Sequence, residues 1–249
     1  MERILPERGA PAWFAPEVDS TNTRVKEWAG LGAEHGTVLL AGRQTGGRGR
    51  LGRCFESPPE GLYLSLLLRP DCPPERCASL TPLAAVAVRR AVRRCTGTAV
   101  DIKWPNDLLL HGKKLCGILT ELGGQPGEIW VVIGIGVNAN TPTEAFSPEL
   151  RGTAGSLLSE TGRRVDVRNL AAALVQELDR LYDAWRLDSR ACLDEYREAC
   201  VSCGRPLRIL QNGGERSGFG LGINEDFSLR VRLDDGSQED IRFGEVSVR

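Results

Sequence analysis

Apolar residues recur along this chain with two periods, and the places where the period changes outline its architecture. Leu62 to Leu68 is apolar at every position but Ser65. Thr37 to Ala41, Ala99 to Lys103, Leu108 to Leu110, Leu115 to Leu122 and Ile129 to Val137 are further short runs, and all six are predicted as strands. His111-Gly112-Lys113 predicts a tight hairpin, and connections this short predict a mainly antiparallel sheet. Trp13 to Val18 leads in as extended chain, and Asp19 and Ser20 compete to cap a helix that runs to Ala29 and stops at Gly30. Helical spacing takes over after Thr81-Pro82, where Leu83, Val86, Ala87, Ala91 and Cys95 share one face and Arg89, Arg90, Arg93 and Arg94 form a solvated opposite face. It returns after Asp166, with Val167, Leu170, Leu174, Leu178, Leu181 and Trp185 on one stripe to about Arg186, and a last helix spans about Ser189 to Cys200.

Beyond Cys203 the pattern becomes short β-type runs, Leu207 to Leu210, Phe219 to Ile223, Leu229 to Leu233 and Ile241 to Phe243, divided by Asn-Gly-Gly, Asn-Glu-Asp and Asp-Asp-Gly turns. That spacing predicts a small β-barrel. The expected fold is therefore α+β: residues 1–202 as a mixed, mainly antiparallel sheet packed with helices, and residues 203–249 as a small β-barrel domain.

Composition narrows the function classes. The 249 residues carry a formal charge of −1, which speaks against a protein that coats nucleic acid or an anionic membrane. No apolar run approaches a membrane span and the N-terminus lacks an apolar signal core, so a cytoplasmic protein is expected. The eight cysteines are scattered, and Cys200-Val-Ser-Cys203 has no partner pair, so reduced thiols are expected over a zinc site. With only His35 and His111, histidine-based triad chemistry has little material.

Against this neutral background the stretch Gly46-Gly-Arg-Gly-Arg-Leu-Gly-Arg53 concentrates three guanidinium groups and four glycines between two strands. Glycine lets backbone approach a ligand closely, and arginine forks match carboxylate or phosphate oxygens. Gly47 to Gly52 satisfies the G-x-G-x-x-G pattern, but a dinucleotide loop opens a helix, whereas Ser57-Pro-Pro59 and a strand follow here. A phosphate loop of the G-x-x-x-x-G-K-[ST] type is absent. In Lys103-Trp-Pro-Asn-Asp107 a stiff Trp-Pro corner presents a cation, a carboxamide and a carboxylate, so that Lys103 could meet a phosphate and Asp107 a magnesium ion; a surface ion pair is the plainer alternative. Lys114 is the one charge entering an apolar run. Gly134-Ile-Gly-Val-Asn-Ala-Asn140 puts two glycines inside a strand, as a β-bulge or as a place where a ligand approaches. Ser20, Thr21 and Asn22 at a helix start serve either as a plain cap or as a polar ligand site.

Taken in order, Asp19-Ser-Thr-Asn22, Gln44 through Arg53, Lys103 through Asp107, Lys114 through Ile118 and Gly134 through Asn140 resemble the corresponding segments of biotin protein ligases, from about residue 17 to the C-terminus. The resemblance implies a class II synthetase-like catalytic fold with an SH3-like C-terminal barrel. It also implies a two-step reaction: biotin and Mg-ATP give biotinyl-5′-adenylate, and a lysine of a biotin carboxyl carrier protein then accepts the biotinyl group. It further implies that Ser20, Thr21, Asn22, Gln44, Gly47, Arg48, Gly49, Arg50, Lys114 and Gly117 contact biotin. Arg50, Arg53, Lys103, Asn106, Asn138 and Arg249 are implied at the nucleotide, Asp107 at Mg2+, and Arg48, Arg50, Lys103 and Lys114 in catalysis. Family members usually carry tryptophan at the end of the loop, where this chain has Cys54-Phe55. Too few residues precede Ser20 for the DNA-binding domain of larger members, so no DNA binding is expected, and the oligomeric state stays open between monomer and homodimer. A lipoate ligase or octanoyltransferase on a related fold is the alternative, and a nucleic-acid binder using the arginine loop is a more distant one.

Overall fold

The structure, a computed structural model, describes every residue except 126, 212 and 249, and of Val248 the backbone only. It is α+β. The main sheet contains β1 (Glu2–Ile4), β2 (Ala12–Ala15), β3 (Val38–Ala41), β4 (Leu62–Leu68), β5 (Asp101–Lys103), β6 (Asp107–Leu110), β7 (Lys113–Gln125) and β8 (Glu128–Val137), in the order β1-β2-β3-β4-β8-β7-β6-β5. Every neighbouring pair is antiparallel except β2 and β3. Those two run parallel because helix α1 (Thr21–Gly30) carries the chain back across the sheet between them. Sequence periodicity did not foresee β1, which pairs only with β2 at the sheet edge.

Strand β4 is apolar on both faces because both faces are covered. Its Leu62, Leu64, Leu66 and Leu68 join the large core under α2 (Leu80–Thr96) and α4 (Val167–Leu187), while Leu67 joins Val25 and Ala29 of α1 in a smaller core on the other side. Helix α2 begins at Leu80, ahead of the expected Thr81-Pro82 start, and closes on Gly97, whose φ of +73° lets its N–H reach the Arg93 carbonyl. Two of its arginines are not simply solvated. Arg89 and Arg90 both pair with Glu195 of α5 (Leu193–Ala199), which locks the two helices together. A short helix, α3 (Leu157–Thr161), is capped by Ser156 between β8 and α4.

The second sheet is β9 (Pro206–Gln211), β10 (Gly214–Ile223), β11 (Leu229–Leu233), β12 (Gln238–Ile241) and β13 (Glu245–Val248), antiparallel throughout in the order β12-β11-β10-β9-β13. The run expected at Ile241 to Phe243 is divided: β12 ends at Ile241 and the last strand starts at Glu245, beside β9. Leu207, Ile209, Leu229 and Val231 belong to the same apolar cluster as the main core. The joint is Trp104, only 2% exposed. Its backbone N–H donates to Ser202 Oγ (3.1 Å) and its ring Nε1–H to the Phe227 carbonyl (2.9 Å), while Tyr196 donates from below to the Pro105 carbonyl (3.2 Å). Trp104→Phe keeps most of the ring volume but strands the Phe227 carbonyl, and should cost about 1–3 kcal/mol. Urea denaturation is the check, and an unchanged midpoint would show that this bond does not join the sheets.

Candidate active site

One cleft, about 240 Å³ in volume, gathers the start of α1, the Arg-Gly loop, the β5–β6 corner, the start of β7, the end of β8 and the first residues of β13. Its floor is made of rows that cross three strands. Ser65, Gly134 and Leu119 align across β4, β8 and β7, and Tyr63, Gly136 and Gly117 form the next functional row, with Asp107 of β6 opposite Gly117. The glycines are required by what lies on them. A Cβ on Gly134 would collide with Asn22 Oδ1, and one on Gly136 with the Phe55 ring; one on Gly117 would sit 3.0 Å from the same ring.

At one end the cleft is neutral and rich in hydrogen-bonding groups. Ser20 caps α1 by accepting from the Thr23 N–H, and Ser20, Thr21 and Asn22 are all buried. Gln44 Oε1 accepts from the Thr21 N–H (2.8 Å), and Gln44 Nε2 donates to Ser57 Oγ (2.9 Å). Ser65 Oγ lies 2.6 Å from Asn22 Oδ1, and Asn22 Nδ2 donates to Glu121 (2.8 Å) and to the Leu119 carbonyl (3.2 Å). Lys26 holds Glu121 from behind at 2.6 Å. Each amide orientation is thereby assigned, as a polar site needs if it is to be rigid before a ligand arrives.

The other end is cationic. Asp107 is buried, and its two oxygens receive Lys114 at 2.7 Å and Lys103 at 3.0 Å. Burial alone would raise its carboxyl, but the two ammonium groups, Lys114 foremost, outweigh burial and hold it below its ordinary value of 3.8. Lys103 is placed by the hairpin, where it stands directly opposite Asp107. Lys114 is placed by a bulge. Leu108 pairs with Cys116 but Leu109 pairs with Lys114, so one extra residue in β7 turns Lys114 from the core face to the Asp107 face. Its ammonium lies 5.9 Å from the centre of the Phe55 ring.

The Arg-Gly loop closes over this end. The Gly49 N–H donates to the Arg53 carbonyl (2.8 Å) and the Phe55 N–H to the Gly47 carbonyl (3.0 Å), with Leu51 and Gly52 at positive φ (+55° and +74°) at the exposed tip. Arg50 Nη1 donates to Asn106 Oδ1 (3.1 Å), while Asn106 Nδ2 is anchored on the Ile118 carbonyl (2.8 Å). Burial lowers the Arg50 guanidinium below its ordinary value, against the pull of Glu245 and Asp107. Arg53 reaches Glu245 of the second sheet at 2.8 Å.

Of the residues singled out in the sequence, Ser20, Thr21, Asn22, Gln44, Arg48, Gly49, Arg50, Arg53, Lys103, Asn106, Asp107, Lys114 and Gly117 all line the cleft. Two do not. Gly47 is buried behind the loop, where a Cβ would strike Phe55 O and Ser57 Oγ. Asn138 lies under the bulge, its Nδ2 donating to the carbonyls of Lys114 (3.3 Å) and Gly155 (3.0 Å), so it holds the lysine's backbone. Arg249 lies outside the described residues. Sequence reasoning assigned no role to Ser57, Ser65, Glu121 or Glu245; the first three sit in no motif, Glu245 lies in the closing segment from which only Arg249 was singled out, and each is joined to the site by contacts with other segments of the chain. The cysteines are free thiols, and no group of three metal-ligating side chains occurs among the described residues.

A family model, the biotin/lipoate A/B protein ligase family, matches residues 14–138. The bifunctional ligase/repressor BirA of Bacillus subtilis is 34% identical over 222 residues, covering 88% of this chain and 68% of that protein. The biotin–[acetyl-CoA-carboxylase] ligase of Paracoccus denitrificans is 34% identical over 233 residues, covering 88% of this chain and 93% of its own length. A solved structure of biotin protein ligase from Aquifex aeolicus in complex with biotin and ATP superposes with a TM-score of 0.83 at 28% identity, covering 96% of this chain and 98% of that one. The chain belongs to the biotin/lipoate A/B protein ligase family, and within it to the biotin protein ligases.

Because the folded value of Asp107 is depressed, its ion pairs contribute fully above the unfolded value near 3.8 and are lost as pH falls through the lower folded value. The stability gap between wild type and Asp107→Asn should therefore be constant at neutral pH and shrink in strong acid. Urea denaturation repeated at descending pH tests this, and a gap that widened in acid would contradict the assignment.

Proposed function

We propose that the protein activates biotin with Mg-ATP to biotinyl-5′-adenylate and transfers the biotinyl group to a lysine of a biotin carboxyl carrier domain. The observation that carries this reading is the polarity of the cleft. Ser20, Thr21, Asn22 and Gln44 form a neutral hydrogen-bonding end, and Arg50, Arg53, Lys103 and Lys114 gather around Asp107 and Glu245 at the other, with Arg48 also lining the cleft. Biotin has that form, a neutral ureido head that donates and accepts hydrogen bonds and a carboxylate at the end of an apolar chain. Lipoate shares the carboxylate but has an apolar dithiolane head, which would leave the buried amides and hydroxyls without a ligand partner.

In the first step a carboxylate oxygen of biotin attacks the α-phosphorus, the new P–O bond forms, and the bond to pyrophosphate breaks with its electron pair on the leaving group. Two anions must meet, so neutralising charge and holding the reactants in line are the tasks, and no protein nucleophile is required. Arg48 and Arg50 cover the meeting point, and Lys103 and Lys114, held together by Asp107, supply two more positive charges. Magnesium bound with ATP would neutralise phosphate charge; among the described residues Asp107 and Glu245 are the carboxylates that could hold it, and each would have to exchange its present cation, Lys103 or Lys114 for Asp107 and Arg53 for Glu245. Relatives named for acetyl-CoA carboxylase support a carrier-domain acceptor. No helix among the described residues is long and apolar enough to cross a membrane; the need for ATP is what favours reaction in the cytoplasm.

Incubation with biotin and Mg-ATP should release pyrophosphate and leave biotinyl-adenylate on the protein, detected by mass spectrometry; adenylate formed from lipoate and not from biotin would overturn the assignment. Arg50→Ala removes a charged contact and should speed adenylate loss about 10- to 100-fold. Its thermal midpoint should move by only a few degrees, because one half-buried side-chain bond is lost. Unfolding as the main effect would make Arg50 structural.

A further inference from the structure

We infer that the cavity on the far side of the Arg50–Asn106 hydrogen bond is the groove through which the acceptor lysine reaches the cleft, an inference that rests on the ligase reading above. This second cavity, about 530 Å³, shares Arg50, Trp104, Pro105, Asn106, Ile118 and Leu119 with the cleft, so the Arg50–Asn106 contact is the partition between them. Its outer wall comes from the turn before α2 and from loops of the second sheet.

Charge distinguishes the two spaces. Among the described residues the cleft holds five cations against two carboxylates, whereas the outer cavity sets Arg50 and Arg242 against Glu75 and Asp226. Arg242 is already paired with Asp226 at 3.1 Å, and Glu75 is exposed with no ion pair among the described residues. A polyphosphate gains nothing there. A cation on an apolar stem does: Glu75 draws the ammonium group to the mouth, and Ala78, Pro82 and the half-exposed Phe243 flank the methylenes. Deeper in, the apolar walls favour the neutral amine, which is the nucleophile. Its lone pair attacks the carbonyl carbon of the mixed anhydride, the amide C–N bond forms, and the C–O bond to phosphate breaks with its electron pair on AMP. The ammonium group gives one proton to solvent on becoming the neutral amine, and the nitrogen gives up a second once the C–N bond has formed. Arg50 must part from Asn106 for the amine to pass, which couples acceptor arrival to the residue that covers the adenylate.

Ala78→Trp fills the mouth from an exposed position and Glu75→Lys reverses its charge. Both variants should release pyrophosphate from biotin and Mg-ATP within about twofold of the wild-type rate, and should biotinylate a purified biotin carboxyl carrier domain at least about tenfold more slowly. Hydroxylamine, small enough to bypass the mouth, should consume the bound adenylate at the wild-type rate in both. Carrier biotinylation at the wild-type rate in Ala78→Trp would overturn the groove, as would an equal loss of pyrophosphate release, which would assign the cavity to ATP or to departing pyrophosphate. If the wild-type protein makes no adenylate, it is the ligase reading that fails.

Discussion

Two lysine ammonium groups are held within 3 Å of one buried carboxylate, and the cleft depends on that arrangement. Burying charge is costly, and a buried ion triad adds little to stability by comparison with apolar packing. What Asp107 supplies is placement. Without it Lys103 and Lys114 would repel each other and turn to solvent; with it, two positive charges converge on a spot walled by Phe55, Gly117 and Arg50. The surrounding scaffold can be read as the means of keeping this triad in position. Trp104 pins the corner between β5 and β6, the bulge in β7 turns Lys114 inward, and Asn138 fastens the backbone behind it.

The neutral end obeys the opposite rule. There no charge faces the cleft among the described residues, and order comes from mutual hydrogen bonding of short side chains over a glycine floor. Glu121 and Lys26 neutralise each other behind Asn22 instead of entering the cleft. A ligand with a neutral polar head and an anionic tail therefore has one orientation available, which delivers its carboxylate to the cations. Orientation of this kind lowers the barrier to a reaction between two like-charged partners more than any single contact does.

The chain's own pattern revealed much of this. Strand β4 was legible from Leu62 to Leu68 because both its faces are apolar, α4 because its stripe is long and capped by Asp166, and most cleft residues because they cluster in short segments of unusual composition. What stayed hidden depends on pairing between distant segments. The parallel pairing of β2 with β3 follows from how α1 packs. The facing of Lys114 follows from a register shift that no local propensity encodes. Arg89 and Arg90 read as solvated until α5 brings Glu195 against them. Asn138 is a similar case: the sequence shows a carboxamide after two strand glycines, and only three-dimensional pairing shows its Nδ2 donating to the Lys114 and Gly155 carbonyls.

The Arg53–Glu245 bridge has a consequence for how the molecule comes into being. Among the described residues the five cations of the cleft lie in the first half of the chain, whereas Glu245 opens the thirteenth strand. A chain that has been translated only as far as α5 thus contains Arg53 before the carboxylate that steadies it exists. Lys103 and Lys114 already have Asp107 by then, so the loop arginine alone waits for its partner, and β13 supplies it by docking beside β9 at the loop's outer flank.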